Sequence, residues 1–540
     1  MKTRFFPVLL ALSLAVSPFL GLPAYATSAE TDAEGIAQTI APLSTETTWL
    51  DTLTAVVNKI DDKVWGASFM IGGYPVPLLI ILILFGGIFL TIRLGGMQFR
   101  HLPRALRYMF KNEKDGKGEV SSFGALCTAL SATIGTGNIV GVATAVVAGG
   151  PGALFWMWLA ALFGMATKYS EGLLAVKYRS HDPVTGHVLG GPFYYIERGM
   201  GKKWIWLAKI FAFFGVCVGL FGCGTFTQVN SITGAITNLF DPDVRYSVRI
   251  LGNTYSWVTI IGGVFLTVAV GLVLIGGLKR IAKVSERVVP FMVVLYVVFA
   301  LLLVFYNIKE VPNAFVRIIQ GAFGQTTAGR AAFGGVIGAL VAAMQKGIAR
   351  GIFSNEAGLG SAPIAAAAAQ TNEPVRQGLV SMTGTFLDTI VVCSMTGLAL
   401  VIAGFGSLSG TEAEGAQATM IAFKSGLPFL PSFVVGFVLM ISMVLLGFTT
   451  ILGWDYYSER CLEYLTNGNM KRVLIFRWFY ILAVFIGPYM TISAVWGIAD
   501  IFNGLMAIPN MIALLALSGV IAKETRSFFK RLKNGEIEND

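Results

Sequence analysis

The chain has 540 residues, enough for three or four ordinary soluble domains of about 150 residues each, yet 55 % of it is hydrophobic, 13 % is charged and the mean hydropathy is +0.70. A soluble domain carries roughly 25 % charged residues, so most of this surface must face lipid, which excludes a soluble enzyme. The net charge of +10 does not point to nucleic acid, because the basic residues stand in short clusters between apolar segments and not along one polar face.

The N-terminus reads Lys2 and Arg4, an apolar run from Phe5 to Leu20, and then Ala24-Tyr25-Ala26. This is the pattern of a bacterial secretory signal peptide over residues 1–26, with cleavage expected after Ala26 and an uncleaved anchor helix as the alternative. Residues 27–72 follow as an acidic, extracytoplasmic segment (Glu30, Asp32, Glu34, Glu46, Asp51, Asp61, Asp62) to which no domain is assigned. From residue 73 onward, apolar stretches long enough for a hydrocarbon core of about 30 Å recur. An extra transmembrane helix is expected at 73–95, then ten more at 121–148, 152–177, 205–235, 256–277, 283–306, 333–370, 378–404, 431–456, 473–491 and 493–522, with a tail at 523–540. The expected class is therefore an all-α, multi-pass membrane protein with 11 transmembrane helices, in the bacterial plasma (inner) membrane.

If the first helix starts outside, the loops on the inner side carry 25 Lys and Arg and those on the outer side 6. That asymmetry puts the C-terminus in the cytoplasm and the N-terminus, after signal cleavage, outside. The ten-helix block divides into 121–306 and 333–522, which are 186 and 190 residues long. Five crossings is an odd number, so two such units in tandem have opposite orientations, the inverted-repeat plan of many secondary transporters.

The first helix of each unit is interrupted by glycine and polar residues. In the first unit the break is Ser131-Ala132-Thr133-Ile134-Gly135-Thr136-Gly137-Asn138; in the second it runs from Gly347 to Gly358 and includes Arg350, Phe353, Ser354, Asn355 and Glu356. Unwound backbone at membrane depth is tolerated only where it is buried in protein or lines a cavity, so paired breaks point to a midplane binding site. The free N–H groups from Gly135 to Asn138 suit a carboxylate, and the orphan carbonyls near Ser131 to Ile134 suit Na⁺ or an ammonium group. On the eighth core helix, Leu446-Gly447-Phe448-Thr449-Thr450 offers further hard oxygen ligands. Such hydroxyls also bond back to the carbonyl four residues earlier; beside a hydroxyl-rich break the expectation is a Na⁺ site.

Three stretches then carry a resemblance. Ala132 to Gly141 (ATIGTGNIVG), Gly190 to Glu197 (GGPFYYIE) and Ser354 to Pro363 (SNEAGLGSAP) closely resemble the signature stretches of the alanine or glycine:cation symporter family, the sodium:alanine symporters. The resemblance covers about 73–525 and implies a LeuT-type core and Na⁺-coupled uptake of small neutral amino acids, alanine or glycine, by alternating access. Residues 1–72 look longer than the usual family start. By the same resemblance, Asn138 is a side-chain ligand and Thr133 a carbonyl ligand of a Na⁺ beside the substrate carboxylate. Leu446, Thr449 and Thr450, with carbonyls of Ser131 and Ile134, form a second Na⁺ site. Gly135, Thr136, Gly137, Asn138 and Gln228 would touch the substrate; Ser354 of the second break and Phe353 are further candidates for it, Phe353, like Trp454, lining a small pocket or gate unless it serves packing. Gln228 departs from the aromatic residue that the wider fold often places there.

Other intramembrane charges are functional candidates by default. Lys168 with Glu171 reads as a structural pair; Arg350 stands near Glu356 in sequence; Asp455 lies at the end of its expected helix; Glu356 and Asp388 are gating or coupling candidates. The five cysteines show no CxxC spacing, the three histidines fall in polar loops, and there is no phosphate-binding GxxxxGK[ST]. No resident cofactor, zinc site or ATP-driven motor is expected. Competing readings are uptake of a larger neutral amino acid such as glutamine and, in another class, an ion channel, for which no filter loop or acidic ring is visible.

Overall fold

The computed structural model describes residues 49–537 apart from 72–73, 112, 114–115, 182–186, 251, 326–334 and 406–414. The expected signal peptide, its cleavage site and residues 27–48 of the acidic segment lie outside the described residues.

The described chain is mostly helical. Helix α1 (Trp49–Gly66) leads through a hairpin of β1 (Ser68–Ile71) and β2 (Tyr74–Pro77) into α2 (Leu78–Arg93) and α3 (Met97–Phe110). Residues 121–306, the stretch expected to form the first five-helix unit, hold seven helices: α4 (Ser122–Thr133), α5 (Val140–Gly149), α6 (Ala153–Lys177), α7 (Ile205–Phe221), α8 (Phe226–Phe240), α9 (Trp257–Leu274) and α10 (Gly277–Tyr306). A short α11 (Val311–Ala322) connects this stretch to α12 (Val336–Asn355), α13 (Ala362–Ala366), α14 (Pro374–Thr385) and α15 (Ser394–Ile402). A π-helical segment, Phe386–Cys393, joins the last two. Then come α16 (Gly415–Gly426), α17 (Ser432–Leu465), α18 (Met470–Ile486), α19 (Ile492–Ala516) and α20 (Ser518–Lys533).

Among the described residues, seven helical stretches are long and apolar enough to cross a membrane, two of them running through more than one helix (Lys202–Phe240 through α7 and α8, Pro374–Ile402 through α14 and α15), or nine if each of two bent pairs counts as one span. The bent pairs are α2 with α3, turned by 84°, and α4 with the Thr136–Gly149 segment, turned by 61°. Helix α6, whose apolar run is interrupted by Lys168 and Glu171, and the 17-residue α18 are not among them. Lipid-facing stripes are legible on the surface. In α10, Phe291, Val294, Val298, Leu302 and Phe305 recur at helical spacing and are exposed, while Val289, Met292, Tyr296 and Phe299 on the other side are buried.

Several expected boundaries move. The 205–235 helix is two helices, because the chain breaks at Gly222-Cys223-Gly224-Thr225, where a Cβ on Gly224 would lie 2.5 Å from Gly219 O and one on Gly222 would lie 3.2 Å from Ala499 Cα. The 493–522 helix ends at Ala516, and α20 continues the chain through most of the expected tail. The 431–456 helix runs on to Leu465, since Tyr456 to Leu465 contains no breaker. Residues 49–66, read as an undivided acidic segment, are an amphipathic helix. Its Leu50 and Val57 are buried, and Val57 fills the notch over Gly497 of α19, where an added Cβ would lie 2.6 Å from Val57 Cγ1. Thr54 and Thr491 hydroxyls are 2.9 Å apart and Trp65 Nε1 donates to Asp500 O at 3.1 Å.

Helix α6 is the inner pillar. It packs most extensively against α14 and α12, with α4, α5 and α17 arranged beside them. The interrupted helices are thereby held at the centre of the bundle.

Candidate functional site

The first break begins where α4 stops at Thr133. Ile134 and Gly135 are extended, Thr136–Asn138 forms one 3-10 turn, and α5 starts at Val140. The freed backbone groups are met by side chains, as burial demands. Asn138 Oδ1 accepts from Gly135 N at 2.9 Å, and Gln228 Oε1 accepts from Thr136 N at 3.1 Å and from the Thr136 hydroxyl at 2.9 Å. Gly135 has to be glycine, because a Cβ there would lie 2.5 Å from Thr450 Oγ1 and 3.1 Å from Gln228 Oε1.

Helix α17 closes the first break from one side. Thr450 Oγ1 donates to Leu446 O at 3.0 Å and lies 3.5 Å from Ile134 O; Thr449 Oγ1 donates to Leu445 O and Leu446 O at 3.1 and 3.0 Å. Both hydroxyls bond back along their own helix, and Thr450 also faces the carbonyl of the break. Ser131 and Thr133 do the same on α4, donating to Thr128 O and Ala129 O, each at 2.7 Å. Close approach is allowed by Gly453, where a Cβ would sit 2.8 Å from Ala132 N and Ser131 Oγ.

The second break lies further along the chain than its sequence suggests. Helix α12 continues unbroken to Asn355, and the irregular stretch is 356–361, with Glu356, Gly358 and Gly360 at φ of 55°, 92° and 81°. The expected 333–370 helix is therefore α12, this turn and the short α13. Gly347 and Gly351, read as breakers, serve packing: a Cβ at 347 would lie 2.2 Å from Ala153 O, and one at 351 would lie 3.4 Å from Met157 Cα, both on α6.

Between the breaks sits a fully buried carboxylate. Asp388 Oδ1 accepts from Asn138 Nδ2 at 2.6 Å, and Oδ2 accepts from Ser354 Oγ at 3.0 Å and from Thr389 Oγ1 at 2.7 Å. Cys393 Sγ is 3.3 Å from Asn138 Nδ2 and 3.2 Å from Ser354 Oγ. Asp388 and Cys393 both belong to the π-helical segment, a local widening that recurs at functional sites. Phe353 shields the first break: its ring carbons lie 3.6 Å from where a Cβ on Gly137 would be, and its centroid is 5.0 Å from that of Trp496. The structure thus gathers Gly135, Thr136, Gly137, Asn138, Gln228, Phe353 and Ser354 around the first break. It sets Ser131, Thr133, Ile134, Leu446, Thr449 and Thr450 along the α4–α17 contact.

The remaining charges find partners that sequence spacing misplaced. Among the described residues Glu171 forms no ion pair with Lys168. Its Oε1 accepts from Gly358 N and Gly360 N at 3.2 Å each and from Asn510 Nδ2 at 2.7 Å, so it caps the second break. Asn510 also donates to Gly358 O at 2.9 Å. Arg350 pairs with Asp500 of α19 at 3.1 Å and not with Glu356, whose carboxylate accepts from Ser361 Oγ at 2.5 Å. Asp455 does not reach an interface: α17 extends past it and it is completely buried. Glu171 and Asn510 were missed as site residues. Their only sequence signal was polarity inside an apolar helix.

Two interrupted helices buried in an apolar helical bundle, with Asn138, Gln228 and Glu171 bonded to backbone groups freed at the breaks, are an arrangement suited to a membrane transport protein. The comparisons narrow this class. The model of the sodium:alanine symporter family matches residues 51–540, and the chain belongs to that family. It is 52 % identical over 490 residues to an uncharacterized transporter of Haemophilus influenzae, covering 91 % of this chain and 99 % of that one. It is 45 % identical over 485 residues to the sodium/alanine symporter AgcS of Methanococcus maripaludis, covering 89 % and 98 %. It is also 35 % identical over 487 residues to the probable sodium/glutamine symporter GlnT of Bacillus subtilis, covering 90 % and 92 %. Among solved structures it resembles MhsT in complex with L-phenylalanine, at 12 % identity and a TM-score of 0.49, over 76 % of this chain and 98 % of that one. The family match begins at 51, so it takes in all of α1 but its first two residues.

Proposed function

We propose that the protein is a Na⁺-coupled symporter that imports a small neutral amino acid, alanine or glycine, by alternating access. The observation that carries this reading is the cluster at the first break. Glycine-bearing backbone N–H groups suited to a carboxylate stand beside a buried Asp388 that is hydrogen-bonded to both Asn138 and Ser354. The dipole of α5 favours an anion at Gly135 to Asn138, where a carboxylate would take over the Gly135 and Thr136 N–H groups now held by Asn138 and Gln228. Asp388, Asn138, Ser354 and the Thr133 carbonyl supply hard oxygens for one Na⁺, the chemistry such ions prefer. Carbonyls of Ser131, Ile134 and Leu446 with the hydroxyls of Thr449 and Thr450 supply a second uncharged set. Gln228 and Phe353 bound the space left for the side chain. The sodium/alanine symporter at 45 % identity supports alanine, and the probable sodium/glutamine symporter at 35 % marks glutamine as the alternative substrate.

The arrangement of eleven spans as one extra helix and a five-plus-five inverted repeat of LeuT type, with the C-terminus in the cytoplasm and α1 outside, is part of the same proposal. Uptake of labelled alanine, glycine and glutamine into proteoliposomes, with and without an inward Na⁺ gradient, tests it. Saturable, Na⁺-dependent alanine or glycine uptake is expected. Glutamine preferred more than tenfold over alanine, about 1.4 kcal/mol, would replace the substrate assignment, and non-saturating flux would replace the carrier by a channel.

A further inference from the structure

A cavity of about 160 Å³ opens between α1, α2, α12 and α19, a volume equal to several water molecules at about 30 Å³ each or one small amino acid. Phe353 forms part of its wall, so the cavity lies directly against the residue that shields the first break. Its lining carries charges of both signs: Lys346 and Arg350 from α12, Asp61 from α1 and Asp500 from α19. Arg350 and Asp500 satisfy one another through contacts of 3.2 and 3.1 Å, and the guanidinium also lies 4.9 Å from the Trp496 ring centroid.

Two acceptors are left over. Asp61 Oδ1 is buried and has no hydrogen-bond partner among the described residues. Asn503 is 3 % exposed; its amide nitrogen is held by Cys223 Sγ at 2.9 Å, and its Oδ1 is likewise unpartnered among the described residues. Unsatisfied buried acceptors facing one cavity call for a donor. An exposed lysine, Lys346, stands at the same cavity with a positive charge to offer.

We propose that this cavity is a vestibule site for a zwitterionic amino acid, in which Asp61 and Asn503 receive the ammonium group and Lys346 faces the carboxylate. The amphipathic α1 then supplies part of the surface a substrate meets before it passes Phe353. This rests on the amino-acid carrier reading and on the orientation that places α1 outside.

The site has a built-in pH response. Burial, reinforced by the facing Asp500 and by Asp62 on its own helix, pushes the Asp61 carboxyl up to about 7, against the opposing pull of Arg350 and Lys346 on α12. At external pH 8 Asp61 is charged and attracts the ammonium group; at pH 6 it is protonated and that attraction is lost. The substrate stays a zwitterion over this range.

Initial rates of labelled alanine uptake by the reconstituted full chain, at saturating Na⁺, test the proposal. In the unaltered protein KM should rise about fivefold between external pH 8 and 6, as loss of one partly buried charge contact implies, while the maximal rate changes less than about twofold. Asp61→Asn keeps the shape and removes the charge: its KM at pH 8 should already be raised about fivefold and should no longer respond to pH. Lys346→Gln should raise KM but keep the pH response. A flat KM in the unaltered protein overturns the proposal without needing any variant. So does an Asp61→Asn variant that keeps the original KM, or that lowers the maximal rate alone, which would mean that Asp61 only holds α1 in place. No saturable amino-acid uptake by the unaltered protein would instead remove the carrier reading itself.

Discussion

Asp388 draws donors from three elements of the bundle: Asn138 beside the first break, Ser354 at the end of α12, and Thr389 on its own segment. Replacing it by asparagine keeps the volume but turns one oxygen into a donor facing Asn138 Nδ2, and it removes the charge that would offset a bound cation. Leaving buried partners unsatisfied costs about 1–3 kcal/mol. The Na⁺ concentration for half-maximal uptake should therefore rise at least about tenfold in Asp388→Asn, measured in proteoliposomes; unchanged Na⁺ dependence would confine Asp388 to a structural role. Thr449 and Thr450 pose a different question, since both hydroxyls already bond back along α17 and Thr450 alone also faces Ile134 O. The double change to valine preserves shape in an apolar setting, so the protein should still insert. A steep rise in the Na⁺ requirement is the expected result, and an unaltered requirement would remove the second ion site.

Helices show where sequence patterning is ambiguous. A glycine inside an apolar helix marks either a break or a close contact, and Gly347 was read as the first while it serves the second. A Cβ there meets backbone, Ala153 O at 2.2 Å, which cannot swing aside as a side chain can. Gly347→Ala should therefore destabilise the protein by about 1–3 kcal/mol, seen as a lower melting temperature in detergent. Gly234 in α8 is the control: nothing lies within 4 Å of its Cβ position, so Gly234→Ala should be neutral or stabilising by up to about 1 kcal/mol. The first break was legible because Gly135-Thr136-Gly137-Asn138 combines two glycines with side chains that bond to the local backbone. The second was shifted because its true turn, Glu356 to Ser361, depends on Glu171 and Asn510 from two distant helices for its caps.

At the scale of the whole molecule, charge decides orientation and energetics. A reporter fused after Glu34 should be extracytoplasmic and one after Lys533 cytoplasmic; both on one side would overturn the topology. A zwitterionic substrate would add no net charge and Asp388 stays with the protein, so each co-transported Na⁺ would carry its own charge across. Transport should be electrogenic, and an imposed inside-negative potential should accelerate uptake, at about 2.3 kcal/mol per charge per 100 mV. Composition and periodicity alone were enough for the membrane class, the approximate places of the helices, the first break and its polar residues, because each depends on neighbours within one or two helical turns. Only the tertiary structure decided that Asp388 joins Asn138 to Ser354, that Arg350 pairs with Asp500, that Glu171 caps the second break, and that α1 folds onto α19. Those contacts join residues from 34 to several hundred positions apart, as with Asn138 and Asp388 at a separation of 250. Which buried polar group answers which is settled by packing geometry, where a low dielectric makes every unpaired group costly, and no local pattern encodes it.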